Sequence, residues 1–267
     1  MKEFFSKIGR FFGHRRNWGL PYLLFMLLFV VLPLVIVVIF AFQDGSGNFT
    51  LANFKHFVSQ GRDVNTFVYS IGIAILTTLI CLVLGYPAAY ILSNSKLCKS
   101  QVMVLLFILP MWINVLVRTL ATVALFGFVG ISLGEGSLIF GMVYNFLPFM
   151  IYPIYNVLKK LDYSYVEAAQ DLGANPLKVL TRVLFPLSAQ GVVSGVMMVF
   201  MPTISTFAIS ELLTLNNIKL FGTTIQENIN NGMWNYGAVL ALIMLVIIFI
   251  TNLFNDEEDA QNEGGLL

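Results

Sequence analysis

The charged side chains that could do chemistry are few in this sequence, and they lie far apart. Arg118 is the one basic residue deep inside a long apolar segment, Glu211 ends another such segment, and Glu167 opens a polar loop. No nucleophile stands beside a base, no group of residues has the spacing of metal ligands, and no Walker A motif is present. The sequence therefore predicts that this chain is not an enzyme and holds no catalytic residue, metal or cofactor.

The composition is typical of a membrane protein. Of the 267 residues, 58% are hydrophobic and 11% are charged, whereas soluble domains have about 25% charged residues. The net charge of +1 gives no reason to expect nucleic-acid binding. Only helices or closed barrels satisfy every backbone group in lipid, and the apolar runs are too long for barrel strands. We therefore expect an all-α, polytopic membrane protein.

Six apolar stretches are long enough to span the membrane, which takes about 20 residues each. Eleven Lys and Arg residues lie in the N-terminal segment, in the loop after the second stretch and in the loop 159–186, against three on the other side. This asymmetry predicts that both termini and the loop 159–186 are cytoplasmic. We expect a basic segment at 1–19, a six-span domain at 20–254 and an acidic tail at 255–267. The predicted spans are Leu20–Phe42, Phe67–Leu92, Val102–Phe128, Leu138–Leu158, Leu187–Leu215 and Tyr236–Phe254.

The loop 159–186 begins with the signals of a short helix. Ser164 and Glu167 have the spacing of a capping box, which predicts that Ser164 caps the helix. Gly173 is expected to end it in a left-handed conformation. Ala168 and Ala169 leave a small surface that another protein can approach closely, as in a helix bound in a partner's groove.

A second short helix is expected to follow at once. Asn175 is a favourable N-cap and Pro176 a favourable first residue. This helix is predicted to run to Phe185, after which Pro186 opens the fifth span.

The stretch Glu167–Pro186, EAAQDLGANPLKVLTRVLFP, resembles the EAA loop of ABC-importer permeases. Its ending is Val-x-Phe-Pro where that family has Ile-x-Leu-Pro, so both departures are apolar. The resemblance implies that two copies of a cytoplasmic ATPase, which bind ATP and Mg²⁺, serve the importer and that one of them contacts this loop. The residues implied in this contact are Glu167, Ala168, Ala169, Asp171, Gly173 and Pro186.

Other segments are similar to the permeases of spermidine/putrescine importers. They are Leu109–Trp112 with Val117–Thr119, Asn145–Met150 and Gly222–Gly237, while the start of the chain resembles the B-type subunit. The resemblance implies a type I ABC-importer permease with six transmembrane helices in a bacterial inner membrane. It further implies a homologous C-type permease, a path for polyamines between the two permeases, and an external polyamine-binding protein or lipoprotein.

Four residues are candidates for the path or for its support. A buried Arg needs a partner and would repel a cationic substrate, so Arg118 is interpreted as a contact between helices or subunits. Glu211 is either a solvated carboxylate at a helix end or a group that binds a cation. Trp112 and Phe207 are interpreted as packing residues, with cation contact as the alternative.

Two other functions remain open at this point. The chain could be the permease of an importer for another small solute, such as iron(III), thiamine or an amino-acid-like compound. It could also be a channel or a structural membrane subunit, but this hypothesis leaves the spacing of the loop residues unexplained.

Overall fold

The structure, a computed structural model, describes residues 19–94 and 101–264. The basic segment that we expect before Gly19 lies outside the described residues, apart from Gly19 itself. The described part of the chain is α-helical, with one isolated bridge between Gln43 and Phe49. The first half contains α1 (Leu20–Met26), α2 (Leu32–Ala41), α3 (Ala52–Ser59), α4 (Gly61–Ser93), α5 (Gln101–Ile108) and α6 (Val115–Val129).

The second half is also a series of helices, and the last of these includes much of the predicted acidic tail. It contains α7 (Glu135–Leu158), α8 (Ser164–Asp171), α9 (Pro176–Val179), α10 (Phe185–Leu187), α11 (Ala189–Ser205), α12 (Ala208–Thr214), α13 (Phe221–Asn230) and α14 (Trp234–Gly264). Two π-helical turns, Leu27–Val31 and Leu180–Leu184, and one 3₁₀ turn, Leu109–Trp112, join neighbouring helices.

The chain forms two compact units, of which the first comprises the described part of Met1–Ser59 together with Asn228–Leu245. Its apolar core is small and contains Ala41 and Val239, both fully buried. The side-chain amide of Asn235 donates to the carbonyls of Phe40 (3.1 Å) and Gln43 (2.9 Å). These bonds satisfy carbonyls near the end of α2, which have no partner within that helix.

The second unit, Gln60–Glu227 with Val246–Leu267, contains the loop 159–186. Helices α4, α7 and α11 pack against one another in its core. Gly195 permits this contact, because a Cβ there would lie 2.8 Å from Sδ and 3.1 Å from the carbonyl oxygen of Met150. Small residues let transmembrane helices approach closely in this way. The shorter helix α12 packs against α6 and α7.

Four of the six predicted spans are continuous apolar helices: Pro21–Ala41, Gly61–Ser93, Glu135–Leu158 and Trp234–Asn252. The other two are pairs of helices, each bent sharply at a short break. The all-helical membrane fold is thus confirmed, and six spans are present if each bent pair counts as one.

The third predicted span is broken, with an angle of 98° between Val102–Trp112 and Val115–Val129. Pro110 lies in the 3₁₀ turn, and Ile113 is extended, with φ −85° and ψ 135°. Asn114 then starts α6, because its side-chain oxygen accepts a hydrogen bond of 2.8 Å from the amide of Leu116. The break therefore has the local structure of a new helix start at Asn114.

The fifth predicted span differs from the single helix expected at Leu187–Leu215. The segments Pro176–Leu187 and Ala189–Ser205 meet at an angle of 78°. A second interruption separates α11 from α12, where Thr206 is extended with φ −67° and ψ 142°. Pro202 lies inside α11, four residues before that interruption.

Candidate functional site

The first helix of the loop 159–186 forms in the predicted region, but it starts one residue earlier than predicted and its cap is a different residue. The N-cap position is Tyr163, and Ser164 makes no capping bond from there, so the predicted capping box is wrong. Instead, Oδ1 of Asp162 accepts a hydrogen bond of 2.9 Å from the amide of Ser164. This bond lowers the pKa of Asp162, so the carboxylate stays ionised at neutral pH and the cap is lost only on acidification.

Gly173 turns the chain between α8 and α9 as predicted. Its φ is +78°, in the left-handed region. The amide of Gly173 donates to the carbonyl of Gln170 (2.8 Å), and that of Ala174 donates to the carbonyl of Ala169 (3.0 Å). A Cβ at Gly173 would meet no atom within 4 Å. Glycine is therefore required by the backbone angle and not by lack of space.

The second helix of the loop also begins as predicted. The Asn175 side chain accepts a 2.8 Å hydrogen bond from the amide of Lys178, and Pro176 is the first helical residue. The helix continues through the π turn into α10 and ends at Ser188, where φ is −103°. Pro186 precedes the 78° bend and lies within this helix, which therefore runs two residues beyond its predicted end at Phe185.

Ser188 fixes the bend to the core of the second unit. Its fully buried hydroxyl donates to the carbonyl of Leu184 (2.7 Å) and lies 2.9 Å from the hydroxyl of Tyr86 on α4. Since the Ser188 proton is used in the first bond, Tyr86 donates in the second. Val166, Val179 and Leu184 are buried beneath the loop. The loop is thus packed as one body against the core and runs directly into α11.

The opposite surface of the loop is exposed. Glu167, Ala168 and Asp171 are all exposed on α8, while Ala169 is partly buried. Leu172 is 90% exposed and Leu177 is 68% exposed. Exposed apolar side chains between polar ones are typical of a protein-binding surface. We call the exposed part of α8, with Leu172 and Leu177, the loop surface.

The other candidate residues lie elsewhere in the second unit, in two groups. Trp112, 85% exposed, and Arg118 line the same depression of about 520 Å³, which also contains Asn114, Phe146 and Pro202. A polyamine in this depression would meet the cationic Arg118, which argues against a path role for Trp112.

The second group is on α12. The carbonyl of Phe207 accepts the amide of Glu211, so the two residues are one helical turn apart on the same face. Phe207 is 40% exposed, and Glu211 is partly buried. Within the described part of the chain, the Glu211 carboxylate has no hydrogen bond or ion pair, unlike Glu227, which pairs with Lys219 at 2.6 Å.

Arg118 is 6% exposed, and the structure brings it to Asn145 of α7, a residue that the sequence analysis did not single out for this role. Its Nη1 donates to the Asn145 carbonyl over 3.4 Å, and its guanidinium lies 5.9 Å from the centre of the Tyr144 ring. The Asn145 side-chain amide donates to the carbonyl of Gly141 (2.8 Å) and to Thr119 (3.3 Å). Asn145 is a polar residue in the middle of an apolar stretch, and this feature of the sequence could have identified it.

The arrangement of the described residues is suited to binding and movement. No group of three or more potential metal ligands occurs among them. The arrangement combines an exposed loop surface, bent transmembrane helices that continue from it, and a few polar groups at membrane depth. These features describe a helical membrane subunit with an exposed surface on the loop 159–186.

Comparison with solved structures gives the same class of fold. The chain is similar to a bacterial ABC transporter that imports alginate, with a TM-score of 0.64 and 15% identity over 93% of this chain and 96% of that one. It is also similar to the MetNI methionine ABC transporter in inward-facing conformations, with a TM-score of 0.58 and 14% identity over 73% and 93%. The fold is therefore that of ABC-importer permeases.

Sequence comparison then defines the family. Residues 81–256 match the model of the binding-protein-dependent transport system inner membrane component. The chain is 30% identical to the spermidine/putrescine transport system permease protein PotB of Haemophilus influenzae, over 84% of this chain and 88% of the relative. The PotB homolog of Mycoplasma genitalium is 29% identical, over 80% and 79%. The chain belongs to the family of binding-protein-dependent transport system inner membrane components.

Membership of this family confirms several predictions. The chain is the permease of a binding-protein-dependent ABC importer and a multi-pass component of the inner membrane. It is not the enzyme of the system, because ATP is bound and hydrolysed by a separate subunit. An ATPase and a binding protein are its partners.

Proposed function

We propose that this chain forms part of the path by which polyamines, spermidine or putrescine, enter the cell. The observation that carries this proposal is the similarity to PotB permeases over 84% of this chain, at 30% identity in the Haemophilus influenzae relative and 29% in that of Escherichia coli. The unpaired Glu211 carboxylate beside the exposed ring of Phe207 supports it, because carboxylates and aromatic faces both attract ammonium groups.

The complete importer in this proposal contains this chain, a homologous C-type permease, two copies of the ATPase and an external polyamine-binding protein or lipoprotein. The path lies between the two permeases. The loop surface binds one ATPase, with Glu167, Ala168, Ala169, Asp171, Gly173 and Pro186 as the coupling residues.

Coupling follows from the way the loop is built into the protein. Movement of the ATPase moves α8, whose buried Val166 packs in the same core as Val179 and Leu184. The helix from Pro176 continues to Ser188, and Ser188 is bonded to α4. A displacement of the loop surface therefore passes to α11 and α4 as a rigid-body motion, the type of motion that switches access from one side to the other.

We expect uptake to identify the substrate class. Cells that lack their own polyamine importers and express the complete system should accumulate labelled spermidine or putrescine. Excess unlabelled polyamine should abolish this uptake, whereas iron(III), thiamine and amino acids should leave it unchanged. Competition by one of these other solutes, with no accumulation of polyamine, would refute the polyamine assignment.

The proposed orientation places both termini and the loop 159–186 in the cytoplasm, on the basis of the distribution of Lys and Arg. In a background without the native cysteines, an impermeant thiol reagent added to intact cells should label a cysteine at Gly61. A cysteine at Asn175 should be labelled only after the membrane is opened. Both positions are exposed, so accessibility within the chain does not differ. Labelling of the Asn175 position in intact cells would contradict the orientation.

A further inference from the structure

Arg118 is a buried cation without a counter-charge among the described residues. Its only polar contact there is the long bond to the Asn145 carbonyl, and its Nε has no hydrogen-bond partner. The side-chain oxygen of Asn145 is also buried without a partner. Buried charges are nearly always paired, so the guanidinium of Arg118 indicates that an acceptor from outside the described chain binds here, whereas the Asn145 oxygen, itself an acceptor, does not bear on the charge of that group.

The start of α6 adds to the positive potential at Arg118. Asn114 caps the amide of Leu116, but the amides of Val115 and Val117 donate to no group in the described part of the chain. The free amides and the helix dipole make a helix start attractive to anions. Asn114, Val115 and Arg118 all line the depression of about 520 Å³, so its wall combines the helix start with the guanidinium.

The depth of this site in the membrane limits the identity of the anion. Asn145, to which Arg118 bonds, lies ten residues from the start of α7 at Glu135 and thirteen from its end at Leu158. At 1.5 Å per residue these separations are about 15 Å and 20 Å. The site is therefore near the middle of a hydrocarbon layer about 30 Å thick, where lipid phosphates do not lie. The charge faces a protein group or a transported solute.

We propose that the depression in front of Arg118 receives a carboxylate side chain from the second permease of the importer. This proposal rests on the proposed function only in requiring that second permease. A carboxylate accepts hydrogen bonds from the terminal nitrogens of a guanidinium, and it supplies the counter-charge that Arg118 lacks among the described residues. It also neutralises a charge that would otherwise repel a polyamine near the path. The Arg118 depression is thus a contact between subunits.

The test is the co-purification of the second permease with this chain from the intact complex in detergent. Arg118→Met keeps the aliphatic volume and removes the charge, and it should lower the amount of co-purified permease at least about tenfold, since truncating one partner of a buried pair is costly. Arg62→Met is the matched control, because Arg62 is exposed at the start of α4 and should not affect co-purification.

A second set of variants separates loss of the contact from loss of folding. Each acidic residue within the spans of the second permease is changed to its amide in turn, and one such change should reproduce the loss. Placing Arg at that position together with Arg118→Glu should then restore co-purification. Failure of every amide variant to weaken the complex, or normal co-purification with Arg118→Met, would overturn the proposal. Neither result depends on which solute is transported, so the polyamine assignment is tested separately.

Discussion

Gly173→Val should abolish coupled transport while leaving the chain in the membrane. At φ +78° a β-branched residue is strained, at a cost of about 1–3 kcal/mol, and the chain can relieve this strain only by changing the turn between α8 and α9. The loop surface would then be displaced from the ATPase. Because about 1.4 kcal/mol corresponds to a factor of ten, we expect ATPase binding and uptake to fall by roughly 5- to 150-fold.

The control for this variant is Gly173→Asn. No atom lies within 4 Å of a Cβ at this position, so neither side chain meets a steric barrier from neighbouring residues. Asn tolerates the left-handed conformation far better than Val. The Asn variant should therefore keep most of the coupled activity. Equal activity of the Val variant, the Asn variant and the wild type, with the ATPase bound, would remove the support for the loop surface as the coupling site.

Glu211→Gln should lower polyamine uptake about tenfold and leave the complex assembled. The substitution keeps the shape of a side chain that has no partner in the described part of the chain, so folding has little reason to change. A hydrogen bond to a charged group contributes about 1.5–3 kcal/mol. The neutral amide of the Gln variant loses most of the electrostatic attraction between the Glu211 carboxylate and an ammonium group of the substrate. Uptake measured over a range of polyamine concentrations tests this expectation.

Glu135→Gln is the matched control for Glu211→Gln. Glu135 is also a carboxylate in the first turn of a helix, but it is exposed and accepts a 3.0 Å hydrogen bond from the Tyr69 hydroxyl. A glutamine oxygen can accept the same bond, so uptake should remain at the wild-type level. If the two variants reduce uptake equally, or if neither does, Glu211 is a solvated helix-end carboxylate.

The features that the sequence predicted well are local ones. Gly173, Asn175 and Pro176 each act on backbone within a few residues, so the turn between α8 and α9 follows from their intrinsic preferences. The capping box failed for a local reason as well. Asp162 lies two residues before Ser164 and accepts from its amide, which places the helix start one position earlier than the Ser-x-x-Glu pattern indicates.

The breaks in the third and fifth spans were harder to predict. Each bent pair taken together is long and apolar enough to span a membrane, so hydropathy does not reveal the breaks. Pro110, Pro186 and Pro202 lie two to four residues before the breaks at Ile113–Asn114, Ser188 and Thr206, but a proline only removes one donor and does not itself fix where a break falls. An Asn with N-cap preferences at position 114 was an additional signal for the first break.

The contact between Arg118 and Asn145 depends on packing between helices that are distant in sequence. The apolar character of both segments predicts that a buried Arg needs a partner, but it does not say which residue approaches it. The structure shows only a carbonyl at 3.4 Å. This incomplete satisfaction is the reason for assigning the missing group to another subunit.

Transport by the purified system is the most direct test of the central claim that this chain is the permease of an ATP-driven polyamine importer. The chain is reconstituted in liposomes with its ATPase, second permease and binding protein, and spermidine accumulation and ATP hydrolysis are measured together. We expect accumulation only with hydrolysable ATP, together with hydrolysis that increases when spermidine-loaded binding protein is added. Spermidine flux that is equally fast without ATP or ATPase, as in a channel, would contradict this account.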